Sequence, residues 1–383
     1  MYTLLLAVIY LAFISLGLPD SMLGAAWPTV YAELNVPISY MGIITMIVSV
    51  STIVSSLLTD RVVAKMGTRV VTAISVLLTA IALFGFSCAK EFYNLCIIAI
   101  PYGLGAGAID ASLNNYVALH YNSKHMSWLH CFWGVGTIIS PYIMSYALTH
   151  SVWNQGYRIV SFIQLGIFAV LLCAMPLWNV NEKKTGEKIK VEPIGPIKAM
   201  KIKGVIPVIL GFLCYCATES TATLWASSYF EGVFAVSKDS AAALGAISFI
   251  GITVGRFICG FITEKVGDSK MIRYGSAVIL LGIILIAIPV KTVAIAGYII
   301  IGLGCAPIYP SIIHSIPIRF GAERSQSIIG IQMASAYLGS TLMPPLFGLI
   351  AEHISLSLMP IFLAFFVVMM LVMLTRADKE TLN

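Results

Sequence analysis

Three carboxylates, Asp20, Asp110 and Glu219, stand inside long apolar runs of the chain. A charge at the centre of a bilayer costs about 2.5–3.5 kcal/mol on insertion scales, so such a group must face a wet interior, pair, or hold a proton. The one base within a run is Arg256, which the hydropathy pattern sets near the cytoplasmic end of its run, remote from the acids. One remote base cannot neutralise three acids, so at least one acid is expected to take up and release a proton. Helical spacing gathers polar partners around them. Asp110 and Asn114 are i,i+4 neighbours, whereas Asn115 points elsewhere on the wheel and reads as an amide gluing helices together. Asp20, Gly24, Trp27 and Tyr31 form one stripe and Tyr215, Glu219 and Thr223 another; His130, Trp133 and Thr137 share a face, as do Gln332 and Ser335. Trp225, Tyr309 and Tyr337 add further rings. Carboxylate, amide and hydroxyl groups beside aromatic faces suit a small polyhydroxylated solute, whose edges need hydrogen bonds and whose C–H face stacks on a ring.

The elements that must position these groups are membrane helices. Of 383 residues, 59% are hydrophobic and only 10% charged, against about 25% charged in an average soluble domain. Apolar runs of about twenty residues each suffice to cross the hydrocarbon layer as a helix. Twelve spans are predicted: 3–31, 38–59, 69–89, 92–119, 127–149, 157–180, 205–230, 239–262, 271–290, 293–317, 326–350 and 355–375. The first run lacks a basic leader and continues into Pro19 and Asp20, so it reads as a span and not as a signal peptide. Placing successive loops on alternate sides gives eighteen Lys and Arg on one side and four on the other. That asymmetry predicts a multi-pass protein of the cell (plasma or inner) membrane with both termini in the cytoplasm. The net charge of +6 therefore reports topology, and no nucleic-acid partner is expected. The eight cysteines all fall inside apolar runs without C-x-x-C spacing, so neither a disulfide framework nor a zinc site is indicated. The partners expected are the lipid bilayer and a small-molecule substrate, with the chain acting as a monomer.

The two halves repeat. Tyr102-Gly-Leu-Gly-Ala-Gly-Ala-Ile-Asp110 aligns without gaps to Ile301-Gly-Leu-Gly-Cys-Ala-Pro-Ile-Tyr309, and Gly136 and Pro141 align with Gly339 and Pro344. These glycines read as sites of close helix packing; no strand precedes them, so they do not make a nucleotide loop. The expected organisation is an N-terminal six-helix bundle over 1–180, a basic cytoplasmic linker over 181–204, a C-terminal six-helix bundle over 205–376 and a short tail over 377–383. This is an all-α membrane fold of two pseudo-symmetric bundles, a plan in which one half rocks against the other.

The segment Gly260-Phe-Ile-Thr-Glu264-Lys265-Val-Gly267-Asp268-Ser-Lys270 resembles the cytoplasmic G-x-x-x-D/E-R/K-x-G-x-x-R/K loop of the major facilitator superfamily. Its first-half counterpart, Asp60-Arg61 with Gly67-Thr-Arg69, has Ser56 for the leading glycine and four extra residues before Gly67. In either copy the acid beside a base can lock the cytoplasmic side through charge pairs, and Arg256 is expected to be a structural partner for backbone carbonyls or for the loop after its own span. A closer resemblance is carried by Pro19-Asp20, by Gly-Leu-Gly-Ala-Gly-Ala-Ile-Asp110-Ala-Ser-Leu-Asn114-Asn115 and by Leu129-His130-Cys-Phe-Trp133-Gly134-Val-Gly136. Together they are similar to the fucose–proton symporter family. That resemblance implies proton coupling and sugar recognition by Asp20 and Asp110, and sugar contact at His130 and Trp133. Glu219, outside the family pattern, is a third candidate.

The expectation is a proton-coupled importer of a sugar or similar polar solute, with no cofactor and with sodium as the alternative coupling ion. A proton-driven exporter of drugs or metabolites is the rival. A membrane enzyme is disfavoured, because the sequence has no H-E-x-x-H, no G-x-S-x-G and no paired acidic metal motif.

Overall fold

The structure, a computed structural model, describes residues 2–178, 193–237, 240–241, 244 and 247–382. Its helices are α1 (Tyr2–Asp20), α2 (Met22–Glu33), α3 (Met41–Met66), α4 (Thr68–Cys88), α5 (Phe92–His120), α6 (Ser123–His150), α7 (Trp153–Cys173), α8 (Gly195–Met200), α9 (Val205–Phe234), α10 (Ile247–Val266), α11 (Asp268–Ala287), α12 (Lys291–Cys305), α13 (Ile308–His314), α14 (Ile316–Phe320), α15 (Ala322–His353) and α16 (Met359–Thr381). Among the described residues, eleven helical stretches are long and apolar enough to cross a membrane, with α1–α2 and α12–α14 each forming one crossing; with α10 they make the twelve expected. Most of the predicted linker, 181–192, lies outside the described residues; its end forms α8.

Two spans read as continuous are broken, each where proline intervenes. The first is interrupted at Ser21, two residues past Pro19. The tenth is divided around Ala306–Pro307 and again at Ser315, beside Pro317. Asp60, Arg61, Glu264 and Lys265, expected in loops, instead are helical, the first two in the penultimate turn of α3 and the others in the last turn of α10. The chain turns only at Gly67, six residues past Arg61, and at Gly267, two residues past Lys265.

α3 shows what kind of solvent surrounds the protein. It buries Ser51, Thr52, Ser55, Ser56, Thr59 and Asp60, and exposes Met46, Val50, Val54, Leu58 and Val62 at steps of four. A water-soluble helix would be the other way round. Hydrocarbon is as apolar as leucine, so small and hydroxylated side chains do the packing. Thr52 Oγ1 donates to Gly103 O at 3.1 Å, Ser55 Oγ to Leu104 O at 2.6 Å and Ser56 Oγ to Gly107 O at 3.3 Å.

The chain divides into two compact units, Met1–Tyr116 with Phe132–Gly195 and Ala322–Met333, and Val117–Cys131 with Pro196–Gly321 and Ala334–Asn383. In the first, a core of Met22, Trp27, Leu83, Phe86, Tyr102, Trp153 and Tyr157 joins α2, α4, α5 and α7. Its Gly105 touches α4, where an added Cβ would fall 2.9 Å from Ser75 O. In the second unit the repeat-related Gly304 meets Gly275 of α11, with added Cβ atoms 2.6–2.7 Å from the opposing carbonyl oxygens. Gly282 and Gly297 make a second such contact seven residues along the same seam.

The turns after α3 and α10 are also repeated. Gly67 has φ 77° and ψ 154°, and Gly267 has φ 86° and ψ 151°. Only glycine occupies that region at little cost; for other residues strain is about 1–3 kcal/mol. Gly267→Ala is therefore expected to lower stability by about 1–3 kcal/mol, read as a fall in the thermal unfolding midpoint of detergent-solubilised protein. Gly166→Ala in α7, where an added Cβ meets nothing within 4 Å, should not lower it.

Candidate functional site

In the first unit the break at Ser21 makes Asp20 the last residue of α1. One turn earlier, Gly17 lets α1 lie against the backbone of α6, where an added Cβ would sit 2.1 Å from Trp133 O. The same face therefore brings Asp20 to Trp133, whose Nε1 donates to Asp20 Oδ2 at 2.8 Å. Tyr102 of α5 donates its hydroxyl to Asp20 Oδ1 at 3.0 Å. Asp20 itself is not enclosed by the protein in this conformation. Tyr102 is a site partner that the sequence reading passed over, although it opens the repeated glycine motif.

Asp110 lies eight residues beyond Tyr102 on α5, about 12 Å along the axis. It is buried, and its Oδ1 accepts from Asn114 Nδ2 at 2.7 Å, the i,i+4 pairing expected. The same helix meets the first turns of α15. Asn115 Oδ1 accepts from Ser325 Oγ at 2.6 Å, and Ala111 O accepts from Gln326 Nε2 at 3.2 Å. Asn115 thus joins helices, as its place on the wheel suggests. The charges of Asp20 and Asp110 lie within electrostatic reach of one another, and neither acid has an ion pair among the described residues. Gln332 is buried in α15 within this unit.

The second unit holds a different arrangement, which corrects the reading of Arg256. That side chain is buried, and its Nη2 pairs with Glu219 Oε1 of α9 at 3.1 Å, a carboxylate partner and not only backbone carbonyls or the loop after its span. The helices run in opposite directions. Glu219 lies fourteen residues from the start of α9 and Arg256 ten from the end of α10, so an extended guanidinium bridges the small difference in depth. Beside them Tyr215 donates its hydroxyl to Cys305 O at 3.0 Å. Tyr309 packs against His130 and Phe212, each at 4.7 Å between ring centres, and against Tyr215 at 6.0 Å. The acids accordingly fall into two chemical types, two held by neutral donors and one neutralised by a cation.

The other predicted aromatic residues stand apart. Trp27 is in the core, its Nε1 donating to Ile38 O at 2.7 Å. Trp225 donates to Pro344 O at 2.9 Å and lines a cleft of about 490 Å³ with Ser228, Gly348 and Glu352. Six residues separate it from Glu219, which puts it about 9 Å further along α9 on another face. Tyr337 is half-buried in the second unit.

The motif residues make local ties. Asp60 is buried; its Oδ1 accepts from the backbone N–H of Arg61 at 2.7 Å, and its Oδ2 from Ser327 Oγ at 2.7 Å and Gly195 N at 3.2 Å. Glu264 pairs with Lys124 Nζ at 3.1 Å and accepts from Asn122 Nδ2 at 2.8 Å, both at the start of the α6 region. That pair is solvent-exposed, so it contributes little to stability. Gly260 lies under Trp128, whose indole Nε1 an added Cβ would approach to 1.9 Å. Among the described residues no three His, Cys, Asp or Glu side chains converge as a metal site would need.

Comparison with known proteins agrees with this architecture. The family description of the Major Facilitator Superfamily matches residues 9–312 and 208–382. The glucose/mannose transporter GlcP of Bacillus subtilis is 23% identical over 290 residues, covering 72% of this chain and 70% of that protein. The structure of the proton:xylose symporter XylE is similar with a TM-score of 0.78 at 13% identity, over 97% of this chain and 94% of that one. The transporter FucP in its outward conformation gives 0.77 at 12% identity, over 98% of both chains. The crossing helices of the described residues and a family match spanning nearly the whole sequence make this a multi-pass membrane transporter and not an enzyme: the chain belongs to the Major Facilitator Superfamily.

Proposed function

We propose that the protein imports a sugar or similar polyol together with a proton, by alternating access, across the cell membrane with both termini in the cytoplasm. The observation that carries this is the pair Asp20 and Asp110, membrane-embedded carboxylates held by Trp133, Tyr102 and Asn114 without an ion pair among the described residues. An anion with no counter-cation is costly to enclose away from water, so closing the site favours the protonated form. A proton taken up at Asp20 and at Asp110 removes that penalty and permits the loaded carrier to reorient. Trp133 and Asn114 supply the stacking face and the amide that a sugar needs beside those acids. The relatives named for glucose, mannose and xylose support the solute class.

The test is uptake of radiolabelled D-glucose, D-mannose, D-xylose and L-fucose into vesicles containing the purified protein. An inward proton gradient is expected to drive accumulation, and a protonophore to abolish it. Accumulation that survives the protonophore and vanishes on removing sodium assigns the coupling to sodium instead. Failure to carry any polyol, with resistance to toxic compounds conferred on cells, would replace import by export.

A further inference from the structure

Pro19 has no amide hydrogen, so the Ser15 carbonyl, which it would normally serve, lacks a donor within α1. Inside a membrane protein such a carbonyl needs a substitute. Gln164 of α7 provides it: Nε2 donates to Ser15 O at 2.7 Å, and Oε1 accepts from Thr79 Oγ1 of α4 at 2.6 Å. Gln164 is completely buried, and both ends of its amide are used. The carbonyl it holds belongs to the turn that leads directly into Asp20, where α1 stops.

We infer that Gln164 is a positioning residue for Asp20. By supplying the donor that proline withholds, it fixes the rotation of the final turn of α1 and so the reach of the carboxylate to Tyr102 and Trp133. Without it the turn can close only by drawing Ser15 O towards some other donor, which rotates Asp20 away from two partners set about 3 Å from its oxygens. The titratable groups that face Asp20 are Tyr102 and, electrostatically, Asp110, both on α5; α6 contributes the neutral Trp133. A rotation of Asp20 therefore alters the proton affinity of the site through three named neighbours. The inference rests on the proton-coupling reading given above.

The experiment is a double-mutant cycle read on the pH profile of sugar uptake, with whichever sugar of the panel the wild type carries best as the probe. Gln164→Leu is expected to lower kcat/KM for proton-driven uptake about tenfold and to shift the midpoint of its pH profile. Pro19→Ala restores an amide that can donate to Ser15 O, so adding Gln164→Leu to that variant should cost less than about twofold. Thr79→Val leaves the Gln164 donor in place and is expected to keep the wild-type midpoint, which preserves a readout should Pro19→Ala fold poorly. Equal effects of Gln164→Leu with and without Pro19, an unmoved midpoint, or a shift in Thr79→Val as large as that in Gln164→Leu would each overturn the assignment. Wild-type uptake that ignores the proton gradient removes the coupling reading itself, whereas gradient-driven uptake with additive variants removes only the role of Gln164.

Discussion

Vesicles carrying Asp110→Asn are expected to equilibrate sugar without accumulating it. Asparagine keeps the size of the side chain and a hydrogen bond to Asn114, but it cannot bind and release a proton. Symport with one proton converts the membrane potential into a sugar gradient, and one charge moved across 100 mV supplies about 2.3 kcal/mol, or about fiftyfold accumulation. The variant should lose that whole factor while retaining sugar–sugar exchange, because exchange requires the loaded carrier to reorient without net proton movement. Counterflow and gradient-driven uptake measured on one preparation separate the two. Accumulation at the wild-type level in this variant would eliminate Asp110 as a coupling group and leave Asp20 to be tested alone.

Glu219→Ala should act on stability first. It leaves Arg256 buried with its carboxylate partner removed, and breaking a buried pair from one side costs about 3–5 kcal/mol. Because the carboxylate retains some exposure, the lower end, about 3 kcal/mol, is the expected value. The check is thermal unfolding in detergent, with Glu219→Gln/Arg256→Gln as the companion. The double variant removes both charges and should recover much of what either single variant loses. A Glu219→Ala protein as stable as wild type, still able to accumulate sugar, would show that water or a neighbouring group takes over the guanidinium.

The number of crossings was readable because apolar runs of the required length follow from bilayer thickness and little else. The duplication was readable as well, and its physical content is visible at Gly105 and Gly304, which make the same kind of backbone contact in their respective units. The breaks in α1 and around Ala306–Pro307 were signalled by proline, yet hydropathy averages over them. Depth was the harder quantity. Arg256 looked remote from the acids until residues were counted from helix ends, since the side chain's own length then covers the difference between α9 and α10. Asp110 with Asn114 was legible from i,i+4 spacing, whereas Tyr102 and Trp133 around Asp20 required knowing which helices touch. Gln164 left only an indirect trace, the missing amide of Pro19, which demands a donor without saying from where.

The seam between α11 and α12 has a practical consequence. Gly275 against Gly304 and Gly282 against Gly297 bring main chain onto main chain at two levels about 10 Å apart, which leaves those rods no room to slide or roll. Leu281 and Ile299, on the same two rods, are exposed and available to carry spectroscopic labels. Their separation is a built-in yardstick: whatever spread such a pair records belongs to the labels, and any excess found elsewhere in the protein is motion.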